Sequence, residues 1–176
     1  MWMIVRRAIG VGLAAAALLG AAWVTASPRT HAQAARLVLA GSQATSGIHP
    51  LRAGGTPDPF SIAVRPAGSL RAEDLRLGPG CRGFIAAQPD AIVRFTGAAP
   101  FLRFFARSSD DVTLLVHDPN GRLLCNDDVV PGRNTNPMVD VYQPRAGQYD
   151  VWVGTRAPEA RPGATLFVTQ SRDQRP

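Results

Sequence analysis

The acidic residues have the types and spacing best suited to chemistry. Asp110 and Asp111 stand just before one apolar run, Val112–His117, while Asn126, Asp127 and Asp128 stand at and after the end of the next, Arg122–Asn126. Between the runs lies Asp118-Pro119-Asn120-Gly121. Asp first, Pro second and Gly last is type I turn chemistry, with the glycine free to take a left-handed bulge position. A hairpin sets the start of its first strand beside the end of its second, so four carboxylates and the Asn126 amide converge at one end of a sheet. Like charges facing each other destabilise a strand pair unless something compensates. Calcium compensates, because it takes about six to eight oxygen ligands from carboxylates, carbonyls and water. Asn134 and Asn136, on the following loop, are further oxygen donors. The competing reading is pairing with Arg107 or Arg133 together with Asx-type hydrogen bonds to backbone N–H groups.

A second candidate is aromatic. Trp152 is the one Trp outside the N-terminal segment. Pro144-Arg145-Ala146-Gly147 reads as a turn joining Met138–Tyr142 to Gln148–Gly154 in a second hairpin, which sets Val141 opposite Val151 and Val139 opposite Val153. Tyr149 then shares their inner face, while Asp140, Tyr142, Asp150 and Trp152 point outward. A Tyr142–Trp152 pair on an open sheet face stacks a sugar ring or holds a peptide. Alternatively, Phe60–Val64 or a loop covers Trp152 as a second small core, since Trp is usually well buried.

Catalytic groupings are not expected. Ser108 and Ser109 stand at the opposite end of a strand from His117, roughly 25 Å away at ~3.3 Å per residue, whereas a serine nucleophile needs a base within hydrogen-bond reach. His31 and His49 lie far upstream, and no G-x-S-x-G occurs. Acidic residues on loops do not provide the raised and lowered pKa pair of a glycosidase cleft. No C-x-x-C or H-x-x-x-H suggests zinc.

The elements that must position these residues are short strands. Apolar runs rich in Val, Phe, Leu and Tyr recur at Phe60–Val64, Gly83–Ala87, Ala91–Phe95, Phe101–Arg107, Val112–His117, Arg122–Asn126, Met138–Tyr142, Gln148–Gly154 and Ala164–Thr169, each closed by turn residues. That spacing predicts an all-β sandwich or barrel. Residues 35–59, rich in Ala, Ser, Thr, Gly and Pro, read as a flexible tether, and 173–176 as a tail.

Met1–Arg7 is short and positive, Ala8–Val24 is an apolar run of 17 residues, and small-residue sites follow at Val24-Thr25-Ala26 and Ala32-Gln33-Ala34. This is the pattern of a secretory signal peptide spanning residues 1–34, so a periplasmic or extracellular location is expected, with membrane contact only through an uncleaved signal. Cys81 and Cys125 both follow it, and an even count in an oxidising compartment favours a disulfide. All 19 basic residues are Arg. Removing residues 1–34 leaves 16 of them against 13 acidic residues, spread singly rather than in the stripe a nucleic-acid binder carries.

Three segments carry a family resemblance. Ser109-Asp110-Asp111-Val112-Thr113-Leu114, Asp118-Pro119-Asn120-Gly121 and Gly147-Gln148-Tyr149-Asp150-Val151-Trp152-Val153-Gly154 resemble the bacterial pre-peptidase C-terminal domain family. Leu77–Gln170 is also similar to small stand-alone exported proteins of that type, through Cys81-Arg82-Gly83-Phe84 and Cys125-Asn126-Asp127-Asp128. The resemblance implies a jelly-roll-like antiparallel β-sandwich of about eight strands, here residues 60–172. It implies an accessory or substrate-binding role, and some members bind calcium. The expectation is therefore an exported, monomer-sized, non-catalytic module with a protein or glycan ligand and no nucleic-acid partner.

Overall fold

The computed structural model describes residues 36–176; the expected signal peptide, residues 1–34, lies outside the described residues. The described chain is all-β apart from a 3₁₀ turn at Ala72–Leu75. It forms eleven strands in two sheets, a β-sandwich. The strands are β1 (Ile48–Arg52), β2 (Phe60–Val64), β3 (Leu70–Arg71), β4 (Phe84–Ile85), β5 (Ala91–Thr96), β6 (Phe101–Ser108), β7 (Val112–His117), β8 (Leu123–Asn126), β9 (Met138–Tyr142), β10 (Gly147–Thr155) and β11 (Ala164–Thr169).

The larger sheet is built on β10. Its first half pairs antiparallel with β5, its second half with β7, and its end touches β4 at Thr155 opposite Phe84. β8 extends the sheet beyond β7, β3 pairs with β4, and β1 lies parallel to β5. The smaller sheet runs β2-β11-β6-β9, all antiparallel.

Alternation along the strands builds the core between the sheets. Leu102, Phe104, Ala106, Val139, Val141, Leu166 and Val168 point inward from the smaller sheet. Val93, Val112, Leu114, Val116, Tyr149, Val151 and Val153 meet them from the larger one. Tyr149 packs tilted on Phe104 at 5.5 Å between ring centroids and donates its hydroxyl to the Arg145 carbonyl at 2.8 Å. Burial pushes that hydroxyl up to about 12.

The Asp118–Gly121 hairpin forms as its residues dictate. Gly121 N–H donates to the Asp118 carbonyl at 2.9 Å, and Gly121 takes φ +79°, where a glycine carries no side-chain penalty. The second expected hairpin does not form. β9 pairs with β6 in the smaller sheet and β10 lies in the larger, so residues 143–146 carry the chain from one sheet to the other. Val139 and Val141 share a core with Val151 and Val153, but across the sandwich and not side by side. Two-residue alternation identifies the buried face equally well for a hairpin and for an arch, so it could not separate them.

The tether reading of residues 35–59 is also corrected. β1 belongs to the larger sheet, and the segment before it is tied down by Val38 N–H to the Ala87 carbonyl at 2.9 Å and Ala40 N–H to the Asp150 carboxylate at 2.6 Å. Asp150 is fully buried, and it also accepts from Gln148 Nε2 at 2.7 Å and pairs with His117 Nδ1 at 3.1 Å. Residues 173–176 are likewise bound to the sandwich and are not a free tail.

Candidate metal centre

The open end of the β7–β8 hairpin is set by register and by a covalent clamp. Leu114 pairs with Asn126 and Leu115 with Cys125. Cys125 is joined to Cys81 with a Cα separation of 4.9 Å. The disulfide therefore holds the residue from which the Asn126-Asp127-Asp128 loop departs. Closing a loop of 44 residues stabilises the fold by about 4 kcal/mol on the chain-entropy model.

Asp111, Asp127 and Asp128 come together there. One carboxylate oxygen from each lies within 4.8 Å of the others. All three residues are half-buried. Each has an Oδ1 shielded from solvent and without a hydrogen-bond partner among the described residues. Burial, then the Asp128 and Asp111 carboxylates, push Asp127 above its ordinary value, while Arg156 and Arg82 pull the other way. Among the described residues one cationic contact compensates directly: Arg156 Nη1 stands 3.5 Å from Asp111 Oδ2. Neither expected arginine, Arg107 or Arg133, pairs with these carboxylates among the described residues, and Arg107 donates to the Arg175 carbonyl.

The other expected ligands have different places. Asp110 is exposed and stands outside the three-carboxylate group, accepting a hydrogen bond from Ser109 Oγ at 3.3 Å. Asn126 positions the loop: Oδ1 accepts from Met138 N–H at 2.9 Å and Nδ2 donates to the Asp128 carbonyl at 3.2 Å. Asn136 Oδ1 accepts from Ser108 N–H, and Asn134 Nδ2 donates to the Pro176 carbonyl.

The donor set fits a hard cation. Oxygens bound to one calcium at about 2.3–2.6 Å lie no more than about 5 Å apart, which the 4.8 Å grouping satisfies. Three carboxylates supply only part of a calcium shell, so carbonyls and water would complete it.

Tyr142 and Trp152 do not form a pair. Tyr142 is 59% exposed on the outer face of the smaller sheet. Trp152, in the larger sheet, is completely buried and packs with Ala72, Cys81, Ile85 and Leu115. The chain from Leu70 to Ile85 folds over this outer face with the disulfide at its edge, and Leu37 and Leu123 pack against the cluster. Gly154 permits the close approach, because a Cβ there would meet Thr113 Oγ1 at 2.3 Å and Ile85 Cγ2 at 2.9 Å. Trp152 thus anchors a second small core, as in the alternative reading. His117 serves Asp150, and Ser108 Oγ donates to the Gly163 carbonyl at 2.9 Å.

By fold the described residues are an all-β sandwich of two sheets, closed by the Cys81–Cys125 disulfide. No family model matches it, and a search of curated proteins finds no match.

Proposed function

We propose that this chain is an exported, non-catalytic binding or accessory module of the pre-peptidase C-terminal type, and that its acidic loop end holds a calcium ion. The observation that carries the calcium reading is that Asp111, Asp127 and Asp128 bring one carboxylate oxygen each within 4.8 Å of the others and that each of them has a shielded Oδ1 with no partner among the described residues. Leaving a buried acceptor unsatisfied costs about 1–3 kcal/mol, more when it is charged. A divalent cation removes that cost and the mutual repulsion at once. Export is supported by the N-terminal pattern and agrees with the disulfide.

The test is thermal unfolding of the chain from Ala35 onward, with millimolar calcium and with excess EDTA. Calcium at a hundred times its dissociation constant stabilises by about 2.7 kcal/mol, so a midpoint rise of roughly 5–10 °C is expected. The rise should vanish in Asp111→Ala/Asp128→Ala. A midpoint indifferent to both reagents rejects the calcium reading.

One observation favours a ligand beside the ion. Asp127 also lines a recess of about 420 Å³ bordered by Arg71, Arg82 and Arg156, and by Glu73, which stands 3.7 Å from Arg71. A calcium ion at Asp127 and the guanidinium of Arg82, which pairs with no carboxylate among the described residues, suit an anionic group on a glycan or protein. Glycan-array binding that is lost in EDTA and in Arg82→Ala is the expected result.

A further inference from the structure

The outer face of the smaller sheet is lined by alternating residues of β6: Phe101, Arg103, Phe105 and Arg107. Phe105 stacks on Phe167 at 4.8 Å, and the Arg107 guanidinium lies over both rings at 5.4 and 5.2 Å. Arg103 is 5% exposed and fixed in place: Nε and Nη2 donate to the two oxygens of Asp140 at 2.6 and 2.9 Å.

Across this face runs the segment 172–176, held by its main chain. Arg103 Nη1 donates to the carbonyls of Arg172 at 2.9 Å and Gln174 at 2.8 Å. Arg107 donates to the Arg175 carbonyl, and Asn134 to that of Pro176 at 3.3 Å. One side chain adds recognition: the Arg172 guanidinium lies 4.9 Å over Phe101 and 5.2 Å over Tyr142. Arg172, Asp173 and Arg175 are nevertheless exposed.

The two partners in this contact are therefore unequal. On the sheet side the Arg103 guanidinium is oriented by the Asp140 carboxylate. The segment brings four carbonyls and one cation, which an extended peptide of another protein brings equally well. Backbone carbonyls carry no sequence information, and a cation over an aromatic pair asks only for an arginine.

We propose that this face is a receptor for an extended, arginine-bearing peptide segment of a partner protein, and that residues 172–176 occupy it in cis as a displaceable cover. Arg103, oriented by Asp140, offers Nη1 to two main-chain carbonyls, which any extended segment can present. The proposal is independent of the calcium site, which uses none of these residues.

The probe is a fluorescent, N-acetylated and C-amidated peptide, Ser-Arg-Asp-Gln-Arg-Pro, followed by anisotropy. A tethered competitor acts at an effective concentration of about millimolar. The full chain should therefore bind the peptide at least about tenfold more weakly than a chain ending at Ser171. Arg172→Ala in the full chain loosens the cover without shortening it and should also raise affinity for the peptide. Tyr142→Ala in the shortened chain, or alanine for the arginine after serine in the peptide, should weaken binding about fivefold. Equal affinity for the full, Arg172→Ala and shortened chains overturns the proposal, as does absence of saturable binding by chains that unfold cooperatively. Should the full chain prove dimeric by light scattering, and monomeric once 172–176 are removed, the receptor serves a second copy and the partner-peptide assignment is overturned.

Discussion

The two ends of the β7–β8 hairpin treat buried carboxylates in opposite ways. At the turn, Asp118 is 1% exposed and saturated: Oδ1 accepts from the N–H groups of Asn120 and Arg122, both at 2.9 Å, and Oδ2 accepts from Arg122 Nε at 2.7 Å. Burial raises its pKa, but hydrogen bonds from Arg122 and Asn120 outweigh burial and hold it below the ordinary value. At the open end, Asp111, Asp127 and Asp128 crowd together with orphaned oxygens. Asp90 is the intermediate case. It is 2% exposed, accepts from Val153 N–H at 2.8 Å and Thr45 Oγ1 at 3.2 Å, and burial pushes it to about 7 despite those bonds. An acidic residue near a turn is therefore no sign of a metal site. The sign is a carboxylate that the fold shields and leaves without donors.

The largest expected effect comes from breaking the clamp that holds the open end. Cys81→Ser/Cys125→Ser should lower unfolding free energy by about 4 kcal/mol, read as a fall in denaturation midpoint, and should weaken any calcium response with it. A comparable effect comes from pH. Asp90 has a folded pKa of about 7 against 3.8 in the unfolded chain. Its contribution to stability is therefore fully present below about pH 4 and is lost as pH rises to about 7. At about 1.4 kcal/mol per pKa unit the loss is on the order of 4 kcal/mol. Asp90→Asn should remove that dependence and unfold later than the parent at pH 8. Next in size, Asp118→Ala should destabilise by about 3 kcal/mol by removing a charge-assisted network, whether or not calcium is present. The lowered pKa of Asp118 acts opposite to that of Asp90, giving stability that is lost as pH falls through its folded value. The smallest effect discriminates best. Asp127→Asn relieves repulsion, so it should stabilise by about 1 kcal/mol in EDTA and destabilise in calcium. A change of the same sign in both conditions would erase the distinction between the two ends of the hairpin.

The two outer faces of the sandwich differ in the same spirit. The larger sheet hides Trp152 under its own chain in an apolar seal, and the indole Nε1 is left without a partner. The smaller sheet hides its aromatic and arginine side chains under main-chain carbonyls that another peptide can supply. Tyr142 was legible as an exposed aromatic on a strand end, because alternation places it opposite Val141. The receptor on its sheet was not legible, because Arg103 and Arg107 are two residues among 19 arginines until β6 and the last residues meet.

Local chemistry determined much of this protein from the sequence alone. The apolar runs became strands because period-two alternation and turn residues act within a few neighbours. The Asp118–Gly121 hairpin, and through it the meeting of Asp111 with Asp127 and Asp128, follow from one turn. The Cys81–Cys125 bridge followed from cysteine parity and the signal pattern. Tertiary structure alone decided which strands share a sheet, that β1 adds parallel to β5, what covers Trp152, and which carboxylate oxygens find donors. Alternation states that a face is buried and carries no label for the surface that buries it. That choice belongs to long-range packing, where Val139 is equally satisfied beside Val153 or across from it.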